Sequence, residues 1–211
     1  VTLSDAGTVT GNAAVESYNL AAGSNNFTTD TVGQTVVGNT GVDTILGSSG
    51  NDVIIGGDGD DFLTGGTGVD VLTGGTGTDK FAFGTADTRA TSYQDINLSS
   101  TFNNGDQFNG DFDIIRDFAT GVDKVDIDDI VTFYSLSDSD LYVNDTNALE
   151  AMKNLPDDLA LLIRGEFDEV YNKFTCDFDS GSDTLLHFNV GGTDRGLVLD
   201  NSILTSTNDF I

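Results

Sequence analysis

The sequence predicts an all-β protein organised as a solenoid, followed by a β-rich C-terminal cap that includes one short helix. Three observations carry this expectation. Five nine-residue units follow one another without a gap from Gly38 to Ala82, their apolar register runs backwards as far as Val9, and alternating apolar segments follow Pro156. A fixed period of this length marks a unit that cannot bury its apolar side alone, so neighbouring units must stack.

Counting back in nines from Ile45 reaches Val36, Phe27, Tyr18 and Val9, all apolar. The sixth places of these earlier units hold Gln34, Asn25, Glu16 and Gly7, so the aspartate of the later units is missing from each. Residues 1–37 are therefore expected to form degenerate coils of the same solenoid that stack without metal.

The five regular units read GNTGVDTIL, GSSGNDVII, GGDGDDFLT, GGTGVDVLT and GGTGTDKFA. Glycine holds the first and fourth places, aspartate the sixth, and Ile45, Ile54, Leu63, Leu72 or Phe81 the eighth. Glycine permits positive φ and lets carbonyl oxygens crowd inward, which suits a turn aimed at a hard cation. The last three residues suffice for a short strand whose eighth side chain points inward. Two units complete one coil, so turns of alternate units share an edge. Asp43, Asp61 and Asp79 should line one edge and Asp52 and Asp70 the other, with inter-turn cation sites at the pairs Asp43/Asp61, Asp61/Asp79 and Asp52/Asp70. Asn39 and Asp58 are further candidate oxygen donors in these turns; Asn39 and Ser48 stand where the other units have a second glycine.

These units resemble the RTX proteins (repeats in toxin), whose GGxGxDxUx motif binds calcium in a parallel β-roll. The resemblance implies a right-handed parallel β-roll over residues 1–83, with calcium-binding repeats at 38–82 and Ca²⁺ rather than Mg²⁺ held by carboxylates and turn carbonyls. A flexible glycine-rich linker is the competing reading. It would need neither the regular aspartate nor the regular apolar place.

Residues 84–131 are expected to supply a loop and capping strands. Thr85 to Gly110 is polar and reads as a long loop packed over the roll. In DFDIIRDFATGVDKVDIDDI (Asp111 to Ile130), Ile114, Ile115 and Phe118 read as a strand, Ala119 to Asp123 as a turn, and Val125 and Ile127 as a second strand. The segment resembles the DxIxDFxxGxDKxDL run that follows the repeats in many type I secreted RTX proteins. The matching residues are Asp113, Ile115, Asp117, Phe118, Gly121, Asp123, Lys124 and Asp126, with Ile127 in place of the final Leu. Two readings follow: another calcium site using Asp113, Asp117 or Asp123, or a hairpin that caps the roll. The cap is preferred, with a cation as an addition.

Residues 132–211 are expected to form a β-rich cap and secretion-signal region. DTNALEAMKNL (Asp145 to Leu155) has a capping Asp or Thr, Leu149 and Met152 on one face, and Pro156 to stop it, which predicts a helix. Leu159–Phe167, Val170–Phe178, Asp183–Val190 and Arg195–Asp200 read as antiparallel strands of a small sheet against the roll. The tail LDNSILTSTNDFI resembles the C-termini of type I secretion substrates, which carry an uncleaved export signal, and so implies that Ile211 is at or near the natural C-terminus.

Among 211 residues, 8 are Lys or Arg and 35 are Asp or Glu, giving a formal charge of −27. Such a surface repels nucleic acid and anionic membranes, and it opposes compaction until cations neutralise it. Cation-dependent folding is the expected consequence. Cys176, the single cysteine, cannot form an internal disulfide and reads as a buried small residue. His187 is the single histidine, which excludes a zinc site built on several histidines. HExxH and GxSxG motifs are absent, and a Cys176–His187 pair is better read as structural. The chain is accordingly expected not to be an enzyme. It opens on Val1 without a signal peptide or transmembrane run, which suggests a piece of a larger polypeptide.

The function expected is a calcium-dependent folding, secretion and assembly module of a type I secreted bacterial cell-surface protein, such as a surface-layer subunit or adhesin, acting outside the cell. Its partners would be calcium ions, the type I secretion machinery, and either a second copy or a cell-surface glycan. The alternative is the same module serving a secreted hydrolase or toxin whose active part lies upstream.

Overall fold

The computed structural model describes residues 1–84, 107–109, 112–127, 132–135, 159–171, 173–176, 180–190, 193–204 and 209–211. The expected helix at Asp145 to Leu155 lies outside the described residues, as does most of the expected loop before Gly110.

Apolar residues at every ninth position draw the first part of the chain into a ladder of short strands. These are β1 (Thr8–Thr10), β2 (Ser17–Asn19), β3 (Asn26–Thr28), β4 (Thr35–Thr40), β5 (Thr44–Leu46), β6 (Val53–Asp58), β7 (Phe62–Thr64), β8 (Val71–Thr76) and β9 (Lys80–Phe83). Odd-numbered strands stack in parallel in one sheet and even-numbered strands in the other. In the first, Val9, Phe27, Ile45, Leu63 and Phe81 fall in register; in the second, Tyr18, Val36, Ile54 and Leu72 do. Apart from partly exposed Val9, this double file of side chains is buried between the sheets and forms the core. The parallel β-solenoid thus begins at residue 8, and the expected degenerate coils before Thr35 belong to it.

Beyond the solenoid come β10 (Gln107–Asn109), β11 (Asp113–Ile115), β12 (Lys124–Ile127), β13 (Thr132–Ser135), β14 (Leu159–Asp168), β15 (Lys173–Cys176), β16 (Asp183–Val190) and β17 (Thr193–Leu199). The described end of the expected loop, β10, is a strand paired with β15. The expected capping hairpin is not formed. β11 lies parallel on β8 with Ile115 opposite Leu72, and β12 lies parallel on β9 with Val125 opposite Phe81. The two strands thus build one further coil. The reason is burial: this arrangement covers Leu72 and Phe81 with Ile115 and Val125, all four fully sealed from water, whereas a hairpin would leave the last repeat's apolar places open.

The antiparallel order expected for the C-terminal strands is present, with β14 between β15 and β16 and β17 beyond β16. Their sheet does not pack against the roll as a separate layer. β17 pairs in parallel with β11, so the even-numbered solenoid sheet continues into the C-terminal strands as one 11-stranded sheet. The chain end closes the other sheet: Phe210 bridges to Val125, and the Ile211 N–H donates to the Val125 carbonyl at 3.1 Å.

Candidate metal sites

Stacking at an interval of eighteen residues sets each sixth-place aspartate above the next of its edge. The backbone N–H of Asp43 donates to Asp61 Oδ1 at 2.8 Å, that of Asp61 to Asp79 at 2.9 Å, and that of Asp52 to Asp70 at 2.7 Å. All three pairs expected from the period are brought together, on the two edges expected. The ladders also run further than the repeats. Asn25 and Gln34 donate their N–H groups to Asp43 and Asp52, both at 2.7 Å. At the other end, Asp70 donates to Asp113 at 2.8 Å and Asp79 to Asp123 at 2.9 Å.

The second carboxylate oxygen is where a cation fits. Oδ2 of Asp43, Asp61 and Asp79 is buried with no hydrogen-bond partner, an arrangement that is costly without a positive charge nearby. Each lies against the first-place glycine of its own unit. A methyl group on Gly56 would meet Asp61 Oδ2 and, at 2.7 Å, the carbonyl oxygen of Gly74 in the next coil; on Gly38 it would meet Asp43 Oδ2 and the Gly56 carbonyl. Carboxylate and carbonyl oxygens therefore converge on a space that only glycine leaves open. Among the described residues no three His, Cys, Asp or Glu side chains gather around one point. The donor set is thus carboxylate oxygens supplemented by carbonyls, which suits Ca²⁺ better than the strict octahedron of Mg²⁺.

The second-place glycines supply the turn. Gly57, Gly66 and Gly75 have φ of 115°, 88° and 106°, and Asn39 adopts 76° in the corresponding place. Burial pushes the carboxyl groups of Asp43, Asp52, Asp61 and Asp123 above the ordinary aspartate value. For Asp79, burial together with the nearby charges of Asp123, Asp61 and Asp117 raises it to about 6. A bound cation reverses this direction, because it favours the ionised form.

The remaining candidates are placed differently. Both oxygens of Asp117 accept backbone N–H groups, from Gly74 and Gly75, each at 2.8 Å. Asp123 accepts from Asp79 with one oxygen and from Ala119, at 2.8 Å, with the other. Asp113 is buried on the ladder below Asp70. Asp58 is exposed and accepts from the Thr76 hydroxyl at 2.9 Å; Asn39 is exposed and donates to the Leu20 carbonyl at 2.6 Å. Asp209, which no spacing pointed to, is buried, accepts from the Gly121 N–H at 2.8 Å and lies 3.5 Å from Lys124. Cys176 is buried in β15, and His187 lies in β16 on the far side of β14.

The sequence pattern of the RTX calcium-binding nonapeptide repeat, in four copies, matches residues 37–72 and 55–86. No curated protein matches the chain. With the stacked aspartates and the glycine turns, the match makes residues 37–86 RTX calcium-binding nonapeptide repeats, which fold as a β-solenoid up to Phe83.

Proposed function

We propose that the chain is a calcium-dependent folding and assembly module of a bacterial cell-surface protein, such as a surface-layer subunit or adhesin, exported by type I secretion, and that it works as a scaffold rather than a catalyst. RTX repeats are typical of type I secreted extracellular proteins. The observation that carries the reading is the file of buried, unbonded Oδ2 atoms on Asp43, Asp61 and Asp79. Calcium held there would draw Asp43 to Asp61, Asp61 to Asp79, and Asp52 to Asp70, with Asp113 continuing the second edge. Asp117 and Asp123 latch the following coil onto the last repeat through backbone N–H groups.

The switch follows from charge. With little calcium, a net charge of −27 and five buried repeat aspartates oppose compaction, and the chain stays extended. Outside the cell calcium neutralises each rung. At about ten times its Kd, one ion stabilises the fold by roughly 1.4 kcal/mol, so several coupled rungs are needed. A calcium titration followed by far-UV circular dichroism and light scattering, with magnesium as control, tests this. Cooperative gain of β structure with calcium alone is expected, with particle growth at the same midpoint if copies assemble. Full β structure in chelator, unchanged by calcium, would sink the reading.

A further inference from the structure

The ladders continue past the first calcium aspartates into units whose sixth places hold Asn25 and Gln34, and whose strands keep the register of the repeats. In the coil before Asp43, the sixth place is Asn25, 6% exposed. Its side-chain nitrogen shares its two N–H groups among three acceptors, the Ala21 carbonyl at 2.9 Å, the Gly23 carbonyl at 2.7 Å and Asp43 Oδ1 at 2.8 Å. The amide nitrogen therefore sits among two carbonyls of its own turn and the aspartate of the next rung, the oxygen types that a cation gathers in the repeats.

Gln34 holds the sixth place on the other edge, and its longer side chain bonds both its own turn and the coil before it. It is 2% exposed, and its nitrogen reaches back one coil to the carbonyls of Asn12 at 3.0 Å and Val15 at 2.7 Å, while its side-chain oxygen accepts the Asp30 N–H at 2.9 Å. An amide group offers two N–H donors and no charge to desolvate. It can satisfy inward-facing carbonyls without an ion.

We propose that Asn25 and Gln34 are built-in replacements for calcium: their side-chain amides close the two turns next to the metal-binding rungs, so residues 17–37 form a metal-free template on which the calcium-dependent coils stack. The inference rests on the calcium reading above and sets its boundary, the first metal-dependent rung of each edge being that of Asp43 and of Asp52. Asn25 through its side chain and Gln34 through its backbone N–H also hold the ends of the aspartate ladders in register before any ion arrives.

The test uses the full chain and two readouts, bound calcium per chain by equilibrium dialysis and backbone amide hydrogen exchange with and without chelator. In chelator, the amides of Asn26 to Thr28 are expected to exchange more slowly than those of Phe62 to Thr64, which occupy the same places in a calcium coil. Asn25→Ala should erase that difference, with roughly tenfold faster exchange, and leave the calcium count unchanged. Asn25→Asp should add one bound calcium and make protection of Asn26 to Thr28 depend on it. A fall of one calcium in Asn25→Ala would mean that this rung already held a metal, and equal exchange of the two segments in chelated wild type would mean that there is no template; either overturns the proposal. If wild type binds no calcium at all, the functional reading fails. The chelator exchange of wild type against Asn25→Ala still decides whether the amide closes its turn.

Discussion

A carboxylate oxygen sealed from water with no donor destabilises a fold, and Asp43, Asp61 and Asp79 each present one. Two agents can relieve it, a proton or a cation. Asp79 has its folded value raised to about 6 from 3.8, so ionising it opposes folding in the metal-free chain. This penalty is fully present above pH 6 and is relieved as pH falls through 6 towards 4. In chelator, β structure measured by circular dichroism is therefore expected to increase on acidification from pH 7.5 to 5. In calcium the sign reverses, because protons compete for the same oxygens, and the calcium midpoint should move to higher concentration over the same interval. A chelated chain whose β content does not change with pH would show that Asp79 and its neighbours do not control folding. The sixth places were legible at this scale because one residue type recurs at one spacing. Asn25 and Gln34 were legible only as missing aspartates; what their amides do depends on carbonyls up to twenty-two residues away.

At the scale of elements, the coil made by β11 and β12 shows how far a period can be trusted. Asp113 and Ile115 repeat the relation of Asp70 to Leu72, and Asp123 and Val125 that of Asp79 to Phe81. The two new rungs stand ten residues apart instead of nine, and of the repeat's first- and fourth-place glycines only Gly121, two residues before Asp123, remains. A local turn makes up the difference, with Asp123 accepting from Ala119 and Gly121 at φ 81°. That is why the segment read as a hairpin. Asp117 fastens this coil to the last calcium turn through Gly74 and Gly75. Asp117→Ala removes both acceptors, and its cost should be about 2–3 kcal/mol. A denaturant midpoint measured in saturating calcium would reveal it; an unchanged midpoint would show that the latch does not bear on stability.

Across the whole molecule, one seam joins the solenoid to the C-terminal strands. Ile115, fully buried, stands opposite Leu72 on one side and Leu199 on the other, and the core runs without a break from Tyr18 through Phe81 and Ile115 to Leu186 and Leu204. A continuous core of this kind predicts one cooperative unfolding transition for the calcium-loaded protein. Ile115→Ala leaves a cavity at the seam and should cost about 2–5 kcal/mol. Calorimetry in calcium is expected to show the single transition at lower temperature or split in two. Retention of the wild-type midpoint would mean that the two halves do not support each other.

A nine-residue period is a local property: each unit carries its own glycines, aspartate and apolar side chain, so solenoid, edges and rungs could all be read along the chain, and the apolar register even where the aspartates give out before Thr35. Pairing across an interruption is not local. The return of β11 to β8, the union of β11 with β17, and the closing of the Gly121 turn by Asp209 bring together residues 43, 84 and 88 positions apart. No short motif specifies such partners. They are selected when buried apolar places of the last repeat meet the segments whose shape and register cover them best.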